Sequence, residues 1–430
     1  MAITGRLVIL ALAGLVPVLL VPSGTTILAW LLLLLAVTAV DLALAASPRA
    51  ISLRREVPDS VRLTQPAGAT LTIGNGSGRT LRALVREGWQ PSAGAVGTRQ
   101  RITVAAGERV RMTVRLRPTR RGDLHIPHTT IRSFGPLGMA ARQLTIKVPG
   151  RLRVLPPFHS KRLLPSKLRR LRDLDGRAAV QLRGAGTEFD SLRDYARGDD
   201  VRSIDWRATA RRQAVMVRTW RPERDRRVVI VLDTSRTSAA RIGDEPRLDT
   251  GIEAALLLSV LADRGGDRVD FLAYDRQVRA RASSTANGNL LAALVQAMAP
   301  LQSALIELDW DQLPAAVRSA SAHRSLVVLL TALDSGAPEE GLIPLVARLV
   351  QRHVVLVAAV RDPLLGRLRS ERGTTTALFR AAAAQRALLD REAVAAQLKS
   401  LGAEVVDAEP LELPGQLADT YIRLKAAGRL

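Results

Sequence analysis

The chain of 430 residues contains no cysteine, which excludes disulfide bonds, thiolate zinc sites and a cysteine nucleophile. No lysine follows a glycine, so the chain has no P-loop for a nucleoside triphosphate. It also lacks the G-x-S-x-G and H-E-x-x-H motifs of common hydrolases. These absences favour a protein that is not an enzyme. A metal-dependent hydrolase built on carboxylates stays open as an alternative.

Aromatic residues are scarce, at 3% of the chain, whereas basic residues are abundant. Lys and Arg number 63 against 40 Asp and Glu, which gives a net charge of +23. Such a charge suits nucleic acid, an anionic membrane surface or an acidic protein. Few aromatics argue against binding of single strands by base stacking, so we expect no nucleic-acid partner. A basic nucleic-acid-binding protein is the second alternative.

Two long apolar runs lie near the start of the chain. Residues 27–46 are almost entirely apolar, and about 20 residues of helix span the roughly 30 Å hydrocarbon core of a bilayer. A shorter apolar run covers residues 7–21, and residues 22–25 form a turn between the two. This pattern predicts a transmembrane hairpin. A secretory signal is the competing interpretation, but no convincing small-residue cleavage site follows residues 7–21.

Arginines flank the predicted hairpin on both sides. Arg6 precedes it, Arg49, Arg54 and Arg55 follow it, and the turn between its arms is uncharged. The positive-inside rule therefore places both ends of the hairpin, and the soluble part, on the cytoplasmic side of the membrane. Asp41 lies within the second run, and we expect it to reach water from the end of the helix.

Beyond the hairpin, the hydrophobic pattern changes along the chain. Residues 48–157 alternate apolar and polar side chains, as in residues 109–116, which predicts a β-sandwich. From residue 227, apolar runs alternate with helical patterns, which predicts a doubly wound α/β domain with a mostly parallel sheet. The predicted organisation is as follows: hairpin, 1–47; β-sandwich, 48–157; charged connector, 158–226; and α/β domain, 227–430.

Oxygen-bearing side chains follow the first predicted strand of the α/β domain. Asp233, Ser235 and Thr237 occupy alternate positions there, and Asp334 follows a later strand. Open α/β sheets bind ligands at the carboxyl ends of their strands. A carboxylate with hydroxyls suits Mg²⁺, which keeps several of its waters. The alternative is that Asp233 and Ser235 cap the following helix.

The connector contains a segment of closely interleaved charges, residues 186–225. Aromatic residues among these charges indicate a segment that folds, with Arg–carboxylate pairs fixing its path. It serves either as scaffolding or as a docking surface for a partner. The candidate residues are Glu188, Arg193, Asp194, Asp199, Asp200, Arg202, Asp205, Trp206 and Arg211.

Residues 186–211 resemble the signature of the bacterial domain-of-unknown-function-58 family, G-T-E-F-x-x-L-R-x-Y-x-x-G-D-D-x-R-x-I-D-W-x-A-x-A-R. The resemblance implies a von Willebrand factor A-like domain after the signature. It also implies a degenerate metal-ion-dependent adhesion site, in which Asp233, Ser235, Thr237 and Asp334 hold Mg²⁺ or Mn²⁺.

The chain departs from the family pattern at this site. The later aspartate normally follows Thr or Ser directly, whereas Ala332 and Leu333 separate Asp334 from Thr331. Thr285 and Ser303 are candidates for the central hydroxyl ligand.

Relatives are commonly encoded beside MoxR-type AAA+ ATPases, so the resemblance implies such a partner together with client proteins. The missing P-loop agrees with ATP hydrolysis by the partner. The sequence therefore predicts a non-enzymatic, membrane-anchored adaptor that acts in the assembly or maturation of other proteins.

Overall fold

The computed structural model describes residues 2–181, 188–196, 199–221, 226–284, 289–334 and 338–430. The chain forms two compact units, Met1–Pro156 and Pro157–Leu430. The first unit combines apolar helices with β-sheets, and the second is a mixed α/β fold. The predicted α/β class with an apolar N-terminal helix is confirmed at this level.

The first unit begins with three apolar helices: α1 (Gly5–Ala13), α2 (Leu15–Leu20) and α3 (Gly24–Leu44). Within the described residues, the helical segment that starts at Gly24 is the one long and apolar enough to cross a membrane. At 1.5 Å per residue, its 21 helical residues extend about 30 Å. Gly14 lies directly against the ring of Trp30, and a Cβ at Gly14 would overlap that ring. The shorter arm therefore packs on α3.

Nine strands of the first unit form two sheets in the described part. The strands are β1 (Ala2–Ile3), β2 (Ile51–Glu56), β3 (Ser60–Arg62), β4 (Ala67–Asn75), β5 (Leu81–Glu87), β6 (Arg99–Val104), β7 (Arg109–Leu116), β8 (Gly122–Phe134) and β9 (Ala140–Leu155). One sheet has the order β1-β9-β8-β5-β6, with β3 parallel to β9, and the other has the order β2-β4-β7.

A single hydrophobic core contains side chains from both sheets of the first unit. In β7, Met112, Val114 and Leu116 are buried, while Thr113 and Arg115 between them are exposed. This is the alternation that the sequence predicts for a strand with one buried face. Arg55 and Glu87 form an ion pair of 2.8 Å within the unit, with side chains only 2% and 1% exposed. The charge of Arg55 is therefore paired inside the unit.

The position of Asp41 differs from the sequence expectation. Its carboxylate does not reach water, because the residue is completely buried at the end of α3. It accepts hydrogen bonds from the backbone N–H groups of Leu137 (2.8 Å), Met139 (2.7 Å) and Ala140 (3.1 Å). Leu137 and Met139 belong to the turn between β8 and β9, and Ala140 is the first residue of β9. The carboxylate thus fixes α3 to the β-sheets.

The second unit contains nine helices and ten strands in its described residues. The helices are α4 (Leu164–Gln181), α5 (Trp206–Arg212), α6 (Arg247–Arg264), α7 (Leu290–Met298), α8 (Leu313–Ala320), α9 (Ile343–Leu349), α10 (Pro363–Arg369), α11 (Thr375–Ser400) and α12 (Leu413–Ala426). The strands are β10 (Glu188–Asp194), β11 (Met216–Arg221), β12 (Arg227–Asp233), β13 (Arg241–Ile242), β14 (Glu245–Pro246), β15 (Arg268–Tyr274), β16 (Val278–Ser283), β17 (Leu326–Thr331), β18 (Val354–Val360) and β19 (Glu404–Ala408).

The central sheet of the second unit has the strand order β16-β15-β12-β17-β18-β19. Strands β15, β12, β17, β18 and β19 run parallel, and β16 pairs antiparallel with β15 at the edge of the sheet. Strands β17 and β18 are buried along their full length, which explains their continuous apolar runs. The carboxyl ends of β15, β12 and β17 therefore meet at one edge, where the candidate residues lie.

Candidate functional site

A cluster of oxygen atoms lies where β12 and β17 end. Asp233 is the last residue of β12, and its Oδ1 accepts a hydrogen bond of 2.7 Å from the backbone N–H of Ser235. Its Oδ2 accepts hydrogen bonds from the Oγ1 hydroxyls of Thr237 (2.9 Å) and Thr331 (2.7 Å). Because β12 and β17 are parallel neighbours, their ends bring Asp233 and Thr331 together. We call Asp233, Ser235, Thr237 and Thr331 the oxygen cluster.

Further hydroxyls extend the oxygen cluster. Ser235 Oγ lies 3.2 Å from Thr237 Oγ1. Ser238 Oγ donates to the carbonyl of Ser235 (2.7 Å) and lies at hydrogen-bond distance from Ser303 Oγ (2.9 Å). Ser303, one candidate for the central ligand, is thus joined to the cluster through Ser238. Thr285, the other candidate, lies outside the described residues.

Asp334 is bound by arginines at the same edge of the sheet. One of its carboxylate oxygens lies 2.6 Å from Arg247 Nη2, and the other accepts a hydrogen bond from Arg391. Arg391 is only 3% exposed and also binds Asp407 at 2.5 Å. Burial disfavours its charged form, but hydrogen bonds and charges from Asp407 and Asp334 outweigh burial and raise the pKa of Arg391. Asp334 is therefore held in a network of ion pairs.

The donor atoms of the oxygen cluster fit a hard cation in type. One carboxylate and three hydroxyls are the ligands that Mg²⁺ accepts while it keeps several waters. The fit is incomplete in charge, because no group of three or more His, Cys, Asp or Glu side chains converges in the described part of the chain. Asp233 and Ser235 are 3% and 1% exposed, so access to the cluster runs past the half-buried Thr237.

Sequence reasoning missed Thr331 as a member of the cluster. Its signal is positional, because it is the last residue of the strand that pairs with β12. The residue that follows it is Ala332, so the end of β17 adds a hydroxyl but no carboxylate to the cluster.

A second buried carboxylate follows β15 at the same edge. Asp275 is fully buried and accepts hydrogen bonds from Thr234 Oγ1 (3.2 Å) and from Arg279 Nε (2.6 Å). Burial opposes its ionisation, but Arg279 and the backbone N–H groups of Arg276 and Gln277 hold the pKa of Asp275 below its usual value. The carboxylate of Asp275 therefore stabilises the turn after β15, and it is paired with Arg279.

The charged segment folds as a hairpin of β10 and β11 with the short helix α5. Arg193 forms two hydrogen bonds with Asp199, of 2.6 and 2.7 Å. Asp205 caps α5 through the N–H groups of Arg207 and Ala208, and it binds Arg218 at 2.8 Å. The predicted Arg–carboxylate pairs exist, but they are not buried, because Arg193 and Arg218 are 40% and 45% exposed.

The carboxylates of Asp199 and Asp205 ionise more readily than usual. The hydrogen bond from Arg193 lowers the pKa of Asp199, and the N–H of Ala208 together with Arg218 lowers that of Asp205. A lowered pKa in the folded state means that the stabilisation is present above the usual value of 3.8 and is lost as the pH falls below it. The pairs are therefore intact at neutral pH.

The other candidate residues of the signature lie on the surface. Asp200 accepts a hydrogen bond of 2.9 Å from the N–H of Arg202. Asp194, Arg202 and Arg211 are exposed. Trp206 is 67% exposed at the first turn of α5. The backbone of Glu188 begins β10, but its side chain lies outside the described part, as do Gly186 and Thr187.

A family model described as "Protein of unknown function DUF58" matches residues 191–414, just over half of the chain. Two curated relatives are the uncharacterized proteins Rv1480 of Mycobacterium tuberculosis (strain ATCC 25618 / H37Rv) and Mb1516 of Mycobacterium bovis. Each is 28% identical over 182 residues, which are 42% of this chain and 56% of the relative. The match thus spans little more than half the length of these relatives.

Among solved structures, the PapD-like domain 7 of human CEP192 is similar to part of this chain. The match covers 24% of this chain and 84% of the CEP192 domain. Its sequence identity is 8% and its TM-score 0.19, too low to carry an argument.

Proposed function

Since the chain belongs to the family of proteins of unknown function DUF58, we propose that it is a non-enzymatic, membrane-anchored adaptor that binds other proteins. In this proposal, the hairpin of α1, α2 and α3 anchors the chain in the bacterial inner membrane, with the soluble part in the cytoplasm. Its partners are a MoxR-type AAA+ ATPase and client proteins whose assembly or maturation the pair assists.

Two features of the fold support the finer assignment of the domains. The strand order β16-β15-β12-β17-β18-β19, with an antiparallel edge strand, is what we expect of a von Willebrand A-like domain. The core shared by two sheets supports a β-sandwich in the first unit. Von Willebrand A-like domains and β-sandwiches serve many functions, so the function rests on surface residues.

The exposed face of α5 is the observation that carries the proposal. At 100° per residue, Trp206, Arg207, Ala210 and Arg211 share an arc of about 140°. All four are exposed, whereas Ala208 and Thr209 are half-buried. We call these four residues the α5 face. In the described part of the chain, the side chains of Arg207 and Arg211 form no ion pair or hydrogen bond.

The composition of the α5 face fits a protein partner with an acidic surface. Trp and Arg are enriched among the few residues that dominate protein interfaces. Two carboxylates of the segment are already engaged, since Asp205 binds Arg218 and Asp199 binds Arg193. The α5 face itself contains two arginines and no carboxylate, so it presents positive charge around Trp206, which an acidic partner would complement.

We predict that Trp206→Ala weakens binding of the full chain in nanodiscs to the purified MoxR-type ATPase about thirtyfold, or about 2 kcal/mol. Binding is measured by biolayer interferometry. The expected loss arises because the indole ring of Trp206 would be buried against the partner, and alanine removes that buried apolar contact.

Phe379→Ala supplies the matched control, because Phe379 is an equally exposed aromatic residue of α11, 73% exposed. It should leave the affinity unchanged. Equal losses in both variants, or none in Trp206→Ala, would reject the α5 face as the docking surface.

We further propose that the oxygen cluster holds a weakly bound Mg²⁺ or Mn²⁺. Asp233 supplies the carboxylate, and Ser235, Thr237 and Thr331 supply hydroxyl oxygens. When bound, the ion would offer a positive site to a carboxylate of the partner. Asp334 does not belong to this set in our proposal, because Arg247 and Arg391 already neutralise it.

Calorimetry with Mn²⁺ distinguishes these two carboxylates. Asp233→Ala should abolish metal uptake, because it removes the only carboxylate of the set. Asp334→Asn should leave metal uptake intact. It should instead lower thermal stability, because it removes the negative charge that pairs with Arg247 and with Arg391. Uptake that is absent in the wild-type chain, or that depends on Asp334 as strongly as on Asp233, would contradict this assignment.

A further inference from the structure

A groove in the second unit is lined by positive charge. It lies beside α4, the turn His159–Leu163 and the end of α6, and its volume is about 420 Å³. Lys161, Arg169, Arg172 and Arg264 line it, and no acidic residue does. Ligand pockets of proteins usually measure about 300–1,000 Å³, so the groove can hold a small molecule or a lipid headgroup. We call it the basic groove.

The four cations of the basic groove are available for a ligand. All four are exposed, and within the described residues their side chains form no ion pair or hydrogen bond. Two other cations of α4 are engaged elsewhere, since Lys167 and Arg170 bind Asp419 at 2.6 and 2.8 Å. Helix α4 therefore uses one set of cations to attach to α12 and presents the other set to the groove.

Apolar side chains complete the lining of the basic groove. Leu164 and Leu168 are buried, at 6% and 9% exposure, and Pro165 lies beside them. An inorganic anion would contact the cations alone. A ligand that carries both a phosphate and an apolar part would use the cations and the leucines together.

We propose that the basic groove binds the phosphate headgroup of an anionic phospholipid. Guanidinium groups pair with phosphate oxygens through two parallel hydrogen bonds, and Arg169 and Arg172 lie three residues apart on one face of α4. The glycerol and the first carbons of the acyl chains lie against Leu164 and Leu168. This site goes beyond the proposed adaptor function, because it needs neither the ATPase nor the α5 face.

Hydrogen exchange of the full chain in nanodiscs tests this site. The wild-type chain is compared in phosphatidylcholine alone and in phosphatidylcholine with phosphatidylglycerol. We expect amides of residues 159–172 to exchange about tenfold more slowly with phosphatidylglycerol. Arg169→Gln/Arg172→Gln should abolish this difference. Arg367→Gln/Arg369→Gln removes the same charge from exposed positions of α10 and should preserve it.

Two soluble probes separate the sources of negative charge. Inorganic phosphate and a polyglutamate peptide are each added to phosphatidylcholine nanodiscs, and neither should reproduce the protection. Equal protection by phosphate would assign the groove to a soluble phosphate compound and overturn the lipid proposal. Equal protection by the peptide would assign the groove to an acidic protein and overturn it too. Protection by phosphatidylglycerol that survives in Arg169→Gln/Arg172→Gln would also reject it.

Discussion

Asp41→Ala is expected to lower the free energy of unfolding of the first unit by about 3–5 kcal/mol. The carboxylate accepts three hydrogen bonds from the turn between β8 and β9 and the first residue of β9, and it is completely buried. Alanine would leave the N–H groups of Leu137, Met139 and Ala140 without their acceptor. Each unsatisfied buried group costs about 1–3 kcal/mol.

Amide exchange at those three residues reports the loss directly, in the full chain in detergent. The three amides should become the most strongly accelerated of the first unit. Asp41→Asn keeps one acceptor oxygen and should give an intermediate effect. If Asp41→Ala leaves both the exchange and the unfolding transition as in the wild-type chain, the carboxylate does not attach α3 to the sheets.

The second large effect is expected at Lys425, in the core of the second unit. Its ammonium donates to Asp267 Oδ1 (2.7 Å) and to the carbonyl of Gly265 (2.7 Å). The side chains of Lys425 and Asp267 are only 4% and 2% exposed. Lys425→Met would leave the charge of Asp267 buried with Tyr421 as its remaining partner (2.6 Å). Breaking a buried pair in this way costs about 3–5 kcal/mol.

Guanidinium unfolding monitored by circular dichroism measures this loss. The double variant Lys425→Met/Asp267→Leu should recover much of it, because two apolar side chains replace both buried charges. Arg423 lies on the same helix as Lys425 and forms a surface ion pair of 3.0 Å with Glu404 of β19. Arg423→Met should lower the free energy of unfolding by less than about 1 kcal/mol. Similar costs for Lys425→Met and Arg423→Met would show that burial does not set the strength of these pairs.

The sequence predicts the sheets well, because hydrophobic periodicity is local. The alternation of Met112, Val114 and Leu116 in β7 and the apolar run of β17 both reflect which faces are buried. The placement of Asp233 at the end of the first central strand follows from the same pattern. Ser235 and Thr237 then lie close to it because they are two and four residues away.

Contacts between distant residues could not be predicted in the same way. The position of Asp334 after a strand predicts a metal ligand, but Arg247 and Arg391, 87 and 57 residues away along the chain, bind it. Thr331 enters the oxygen cluster because β17 pairs with β12, a register that one sequence does not fix. Asp41 binds the backbone of Leu137, 96 residues further along the chain, and its apolar neighbours in sequence do not predict this partner.

In our proposal, the α5 face docks an acidic partner protein while the chain is anchored in a membrane. Hydrogen exchange of the full chain in nanodiscs, with and without the purified MoxR-type ATPase, tests this docking. We expect the ATPase to slow exchange in residues 201–212, and Trp206→Ala to remove this protection. Exchange in residues 201–212 that is the same with and without a bound ATPase would contradict it.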